Sequence, residues 1–405
     1  MINQKQVEIL FKENIKIKWI SFLVIASLWS CSKSSDAYID PYVNVKATFG
    51  TNIDLENLAN YANQSIPTYI IKDNTAGNPI NDKGATLGRI LFYDKNLSSN
   101  NTISCASCHQ QANAFSDTNV ASVGVNGTTA RHAMRLINAR FAVENKFFWD
   151  ERAATLEFQT TQPIQNHSEM GYSGTSGDGD FSSLVTKLTQ IGYYKELFKF
   201  VYGTEEITES KMQLALAQFV RSIQSFDSKY DAGRSQVAAD NQPFPNFTNQ
   251  ENQGKQLFLA PPQFDATGSR TGGGVGCAGC HAAPEFDIAP NSGNNGIIGT
   301  LAGTGIDITN TRAPSLRDIV KQDGTLNGPL MHTGVFTSLQ NVIGHYGNIN
   351  SAPGNTNLDP KLSPNGFGQQ LNLTAPEVNA LMAFLKTLSG SNVYVDSKWG
   401  NPFPN

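Results

Sequence analysis

Apolar positions recur at helical spacing in two long stretches of the chain. Between Glu209 and Tyr230, the residues Met212, Leu216, Phe219, Val220, Ile223 and Tyr230 fall on one helical face, which predicts an amphipathic helix closing a core. Near the C-terminus, Thr374 and Glu377 form a capping box. Val378, Leu381, Met382, Leu385 and Leu388 then make one apolar stripe, and Gly390 marks its end. Two shorter segments repeat one pattern: Gly88-Arg89-Ile90-Leu91-Phe92 and Gly254-Lys255-Gln256-Leu257-Phe258. Each Gly-x-x-Leu-Phe predicts a helix turning its Leu and Phe to a core. Alternating patterns of the strand type are scarce, so the expected class is mainly α.

The intervening segments divide the chain. From Ile53 to about Ile71, scattered apolar residues suggest a short helix. Asp240 to Asn249, with Pro243 and Pro245, breaks the helical pattern and predicts a linker. Gly268 to Gly276 is glycine-rich but lacks the Lys-Ser/Thr ending of a phosphate loop, so it reads as flexible lining, as does 291–305. The repeat predicts two copies of one domain, over 53–245 and 246–405.

The chemistry lies just after each repeated helix. Cys105-Ala106-Ser107-Cys108-His109 and Cys277-Ala278-Gly279-Cys280-His281 are both Cys-x-x-Cys-His, the attachment signal for a c-type haem. In that chemistry two thiols add to the haem vinyl groups and the adjacent histidine reaches the iron as proximal ligand. Cys-x-x-Cys alone also serves zinc knuckles and redox dithiols. Here each pair is followed at once by His, no further cysteine completes a zinc site, and the five-residue signature occurs twice. Two covalently bound haem c groups are therefore expected, with Gly-x-x-Leu-Phe as the N-terminal helix of each cytochrome c-like domain.

Five cysteines leave one over, Cys31. Lys12, Lys16 and Lys18 precede an apolar run from Trp19 to Trp29, followed by Ser30 and Cys31. This is the order of a secretory signal, and the run is short for a membrane span. Leu28 and Ser30 before Cys31 resemble a bacterial lipobox, with Trp29 bulkier than usual. A lipoprotein-type signal peptide over 1–30, lipidation at Cys31 and a polar tether over 31–52 are expected. An uncleaved N-terminal anchor is the alternative. Either way the body is exported to the periplasm or cell envelope. Loss of residues 1–30 takes away four Lys and two Glu and changes the formal charge from −4 to −6. No basic tract points to nucleic acid.

With these residues in view, the chain resembles the bacterial dihaem cytochrome c peroxidase family, including its MauG-type relatives. The resemblance rests on Leu87 to Phe92 leading to Ser104 to His109, and on Phe148-Trp149-Asp150-Glu151-Arg152-Ala153. It continues through Gln162-Pro163-Ile164-Gln165-Asn166, Ser168-Glu169-Met170-Gly171, Arg312-Ala313-Pro314-Ser315-Leu316-Arg317 and Pro329-Leu330-Met331-His332-Thr333-Gly334. It implies hydrogen peroxide as substrate, a small electron-donor cytochrome or cupredoxin as partner, and a homodimer.

The resemblance also implies roles. His109 and His281 would be the proximal iron ligands. Glu169 would stand over the first haem as acid–base catalyst, and Trp149 would relay electrons between the haems. Asp150, Glu151 and Arg152 would form local ion pairs or meet haem propionates. The second haem, on His281, would receive the electrons. Where peroxidases of the family have a methionine ligand to this haem, the chain reads Ile343-Gly344-His345-Tyr346-Gly347. MauG-like enzymes use a tyrosine in this region, so Tyr346 is ranked first as its sixth ligand, with His345 and Met331 as alternatives. Thioether ligation raises the potential. Members that need reductive activation carry a displaceable histidine in the loop that here reads Val123-Gly124-Val125-Asn126-Gly127. A family calcium site maps onto Asn327, Pro329 and His132, the last replacing an asparagine; an imidazole is a poor calcium ligand.

Three activities follow as expectations. The first is peroxide reduction at the N-terminal haem with electrons passing through the C-terminal one. The second is MauG-like oxidation of a protein or organic substrate. The third is electron transfer without catalysis.

Overall fold

The structure is a computed structural model and describes residues 40–142, 146–288, 292–350 and 352–404. The expected signal peptide, Cys31 and the tether up to residue 39 lie outside the described residues. The main helices are α1 (Val43–Phe49), α2 (Asp82–Tyr93), α3 (Cys105–Cys108), α4 (Leu156–Thr161), α5 (Phe181–Leu188), α6 (Gly192–Tyr202), α7 (Glu209–Ser222) and α8 (Lys229–Arg234). They continue with α9 (Asn249–Leu259), α10 (Leu339–Gly347), α11 (Ala375–Lys386) and α12 (Asn392–Val395). Four short strands, β1 (Pro262–Phe264), β2 (Arg270–Gly273), β3 (His281–Ala282) and β4 (Asp287–Ile288), form two antiparallel pairs, β1 with β2 and β3 with β4. The protein is mainly helical, as the patterning predicts. Among the described residues no helix is long and apolar enough to cross a membrane.

Both repeated glycines sit where two helices cross. A Cβ on Gly88 of α2 would overlap the carbonyl oxygen of Ala215 and crowd Phe219 Cβ, both on α7. A Cβ on Gly254 of α9 would overlap the carbonyl oxygen of Ala380 and crowd Phe384 Cβ, both on α11. The same contact, Gly against Ala-x-x-x-Phe, is thus built twice. Each pair is started by side-chain caps. Asn81 and Thr208 cap α2 and α7, while Thr248 with Glu251 and Thr374 with Glu377 form capping boxes on α9 and α11.

Two hydrophobic cores form around these crossings. The first joins Leu87, Ile90, Leu91 and Phe92 of α2 with Met212, Leu216, Phe219 and Val220 of α7. Val393 and Trp399, from the end of the chain, also belong to it. The second joins Phe258 with Leu381, Phe384, Leu385 and Leu388, around the buried Phe286 and Tyr230.

Four local expectations are corrected. The tether contains α1, because Val45 and Phe49, four residues apart, are both buried in the first core. Residues 53–71 form no α-helix, and the backbone N–H groups of Tyr61 and Ala62 donate to Asp82 Oδ1 instead. The amphipathic stretch 209–230 splits after Ser222. There Asn138 bridges the break, donating from its backbone N to the Ile223 carbonyl and accepting from Ser225 N at Oδ1. The stretch 240–249 is packed rather than free: Phe244 and Phe247 are buried, and Lys255 Nζ donates to the carbonyls of Asp240 and Gln242.

The crossing makes a stability prediction. Alanine is preferred over glycine within a helix by about 1 kcal/mol. At Gly254 that gain is opposed by an overlap that forces two backbones apart, at the upper end of the roughly 1–3 kcal/mol of overpacking. Gly254→Ala should therefore destabilise the holoprotein by about 2 kcal/mol net. Gly344→Ala, on an exposed part of α10 with open space around it, should stabilise by about 0.5–1 kcal/mol. Denaturant unfolding of both variants checks this, and equal stability of the two would refute the crossing argument.

Candidate functional site

The two Cys-x-x-Cys-His segments each open onto a cavity. In the first, Ser104 and Ser107 form a capping box on α3, and His109 caps its other end, with its backbone N donating to the Cys105 carbonyl. Cys108 and His109 line a cavity of about 470 Å³, while Cys105 packs against the first core. In the second, Cys277, Cys280 and His281 line a cavity of about 600 Å³ together with Phe258, Leu339, Ile343 and Leu381.

Both imidazoles are oriented alike. His109 Nδ1 lies 3.2 Å from the Phe115 carbonyl oxygen, and His281 Nδ1 lies 3.2 Å from that of Phe286. A carbonyl only accepts, so a proton on Nδ1 fits this contact and would leave Nε2 as the atom to meet a metal, with the backbone of Met134 near the first ring and of Pro314 near the second. Phe115 and Phe286 are fully buried, and each has φ of 58°, a left-handed conformation unusual for a phenylalanine. Burial lowers the pKa of each histidine to about 4, which keeps the ring neutral.

Burial also pushes the Cys105 and Cys277 thiols up to about 12 and Cys108 to about 11. Zinc binding needs thiolates. Among the described residues no group of three or more His, Cys, Asp or Glu stands ready for a metal ion. Paired thiols beside a neutral imidazole at the edge of a large cavity, both thiols lining it in the second motif and Cys108 in the first, fit a covalently held haem in both places.

Glu169 lines the His109 cavity. Its segment is held by a local turn, in which Asn166 Oδ1 accepts from the backbone N of Ser168 and of Glu169. The carboxyl is pushed up to about 7 by burial, opposed by the charge of Arg152. Near neutral pH it is therefore present in both forms, as a group that takes and returns a proton must be.

Trp149 lines both cavities, as do His132, Arg135 and Arg312. Its Nε1 donates to the His132 carbonyl at 2.7 Å, its own carbonyl accepts from Arg312 N at 2.7 Å, and its ring lies 6.1 Å from that of His332. The indole is thus fixed in the wall shared by the two cavities. Asp150 pairs with Arg131 and Arg152, and Glu151 accepts from Asn310 Nδ2.

The candidate sixth ligands separate. Tyr346 and Met331 line the His281 cavity. His345 is not among the lining residues, and its Nε2 lies 2.8 Å from the Asn295 carbonyl oxygen. Asn295 Nδ2 lies 3.5 Å from Met331 Sδ, and the same side chain hydrogen-bonds Tyr346. Burial raises the Tyr346 phenol well above its ordinary pKa.

The loop 123–127 does not line the His109 cavity. Val125 N and Asn126 N donate to the carbonyls of Glu169 and Ser168, and Asn126 Nδ2 donates to that of His167. The side chains at the positions mapped to calcium have other surroundings. His132 Nδ1 lies 3.0 Å from the Asn119 carbonyl oxygen, and Pro329 lines the His281 cavity. Asn327 Nδ2 donates to the Asp318 carbonyl and the Tyr394 hydroxyl, although its Oδ1 is buried without a partner. Calcium prefers oxygen donors, and no step below is routed through it.

Three features went unread in the sequence. The Phe115 and Phe286 carbonyls had a signal available, a phenylalanine five or six residues after each haem histidine. Asn295 and the buried Asp287, which lines the His109 cavity, had none.

A sequence profile of the di-haem cytochrome c peroxidase family matches residues 82–238. The methylamine utilization protein MauG of Methylophilus methylotrophus is 27% identical over 329 residues, covering 79% of this chain and 86% of that protein. The cytochrome c551 peroxidase of Nitrosomonas europaea is 28% identical over 327 residues, covering 77% and 81%. Among solved structures, a MauG-like protein associated with microbial copper homeostasis aligns with a TM-score of 0.64 and 28% identity, covering 84% of this chain and 99% of that one.

Proposed function

The chain belongs to the di-haem cytochrome c peroxidase family and is an oxidoreductase, and on that premise we propose that it reduces hydrogen peroxide to water in the His109 cavity. The carrying observation is that Glu169 and His109 line one cavity, whose far wall, at Trp149, also bounds the His281 cavity. Cys105, Cys108 and His109 would hold one haem, and Cys277, Cys280 and His281 the other. Bound haem supplies an iron that accepts peroxide oxygen and exchanges electrons. Glu169 takes the proton from the nearer peroxide oxygen and returns it to the farther one, which leaves as water. Trp149, held at Nε1 and at its backbone, offers electrons a rigid passage from the His281 side. A small cytochrome or cupredoxin would be the donor.

A MauG-like reading is favoured by one observation: Tyr346 lines the His281 cavity in the segment where a peroxidase would place methionine. In that reading the haem pair oxidises a protein or organic substrate. Peroxide turnover with a reduced small cytochrome separates the two.

Export and a lipid anchor at Cys31 belong to the same proposal. Cys31→Ser should release the protein from membranes with both haems retained, and unchanged retention would point to an uncleaved anchor.

Glu169→Gln keeps shape and removes the base. Peroxide turnover should fall by about two to four decades, with both haem spectra little changed. The wild-type rate should rise with pH through about 7 as the carboxylate forms, and this limb should vanish in the variant. Near-full turnover by the variant would exclude the role.

The loop 123–127 places no side chain in the His109 cavity, so nothing in it blocks the iron. The all-ferric protein should therefore show a high-spin haem at His109 and react with peroxide without prior reduction. Two low-spin haems, with no reaction until one electron is added, would overturn this.

A further inference from the structure

The shuttle through Glu169 moves a proton between peroxide oxygens and brings none in. Reducing one hydrogen peroxide to two waters consumes two protons along with two electrons, and the His109 cavity must obtain them from solvent. This need rests on the proposed peroxidase reading.

A second carboxylate stands on that cavity. Asp287 of β4 is 4% exposed, lines the cavity, and has Oδ1 without a hydrogen-bond partner. The charged groups facing it are Arg312, Lys72 and Glu285. Glu285 is itself 1% exposed, and neither of its carboxylate oxygens makes a hydrogen bond. Its Oε2 lies 3.3 Å from Lys72 Nζ, an ion-pair distance, and the Lys72 side chain is 24% exposed. Ser315, another cavity residue, donates from Oγ to the Glu285 carbonyl. Lys72, partly open to solvent, is thus paired with Glu285, and Glu285 and Asp287 lie close enough to feel each other's charge.

We propose that Asp287 is the proton-delivery residue of the His109 cavity, refilled from solvent through Glu285 beside Lys72. In each delivery the Asp287 O–H bond breaks and its proton joins a peroxide oxygen that ends as water. The Asp287 carboxylate then takes a proton from Glu285, which takes one from solvent. Two deliveries accompany the two electrons that the protein donor supplies for each peroxide. Burial pushes Asp287 up to about 7, with Arg312 and Lys72 pulling the other way, so acid and carboxylate coexist near neutral pH.

The test uses the haem-loaded protein and its Asp287→Asn and Glu285→Gln variants, with haem spectra and thermal unfolding as checks of folding. Independently of turnover, the infrared spectrum of the wild type should contain a carboxylic-acid band titrating near pH 7 that is absent in Asp287→Asn. Transfer to heavy water should shift that band about tenfold more slowly, or slower still, in Glu285→Gln. In turnover, Asp287→Asn should lose about a hundredfold in kcat with KM for peroxide little changed. It should lose the alkaline limb of the pH profile, whereas Glu169→Gln loses the acidic limb, and added formate should restore part of the rate. A missing band, or a band exchanging equally fast in Glu285→Gln, overturns the route. Active wild type with an Asp287→Asn variant of unchanged rate and pH profile, or one that formate cannot rescue, reduces Asp287 to a charge partner of Arg312 and overturns this assignment alone. Wild type without peroxide turnover overturns the peroxidase reading and the delivery role together. Should Asp287→Asn not fold, the exchange rate in Glu285→Gln still decides.

Discussion

Two helix crossings without a side chain between them hold this protein together. At Gly88 against Ala215, and at Gly254 against Ala380, backbone meets backbone, and the next turn is filled by Phe219 or Phe384. Close approach of this kind fixes both distance and rotation of the helices, because any Cβ would push them apart. The consequence reaches the chemistry through the neighbouring aromatic residues. Phe92, beside the first crossing, packs on Phe115, whose carbonyl orients His109. Phe258 and Phe384, at the second, pack on Phe286, whose carbonyl orients His281. A loosened crossing would therefore be felt at the Nδ1–H of the proximal histidine. Second-sphere contacts of that type set both the orientation and the basicity of a metal-bound imidazole.

Much of this frame was legible because its signals are local. Helical period, capping boxes and the repeated Gly-x-x-Leu-Phe each depend on residues within a few turns, and the helices formed close to where the period placed them. The same reasoning failed where a distant partner decides. Residues 53–71 carry scattered apolar side chains that suit a helix, yet Asp82, beyond the end of the stretch, takes the backbone donors of Tyr61 and Ala62. The stretch 240–249 has the prolines of a linker, but Phe244, Phe247 and the Lys255 ammonium fold it onto the second core. Val393 and Trp399 join the core of the opposite half, and no period in the sequence announces that.

The site divides along the same line. The thiols and histidines are contiguous and could be read outright. Glu169 and Trp149 were found through the resemblance, and only coordinates show that one shares a cavity with His109 and the other lines two cavities at once. For the second site, sequence offered three candidate ligands, Tyr346, His345 and Met331, ranked with Tyr346 first through the resemblance alone. The structure separates them by hydrogen bonding: Asn295 occupies His345 Nε2 through its carbonyl, and its amide reaches the two that face the cavity, Met331 and Tyr346.

One scaffold used twice has thus produced two different environments. The sides carrying the motifs match closely, with a Cys-x-x-Cys-His, a neutral imidazole, and a left-handed phenylalanine whose carbonyl accepts its hydrogen bond. The opposite walls do not. Around the first cavity stand two carboxyls, Glu169 and Asp287, both pushed by burial to about 7. Around the second stand a thioether and a phenol, Met331 and Tyr346, and the buried Asp359 lines it as well. The difference arises from segments outside the repeated helices, 166–171 and 285–287 for the first cavity and 331–346 for the second. Those segments are free to vary because the crossings, not they, carry the fold.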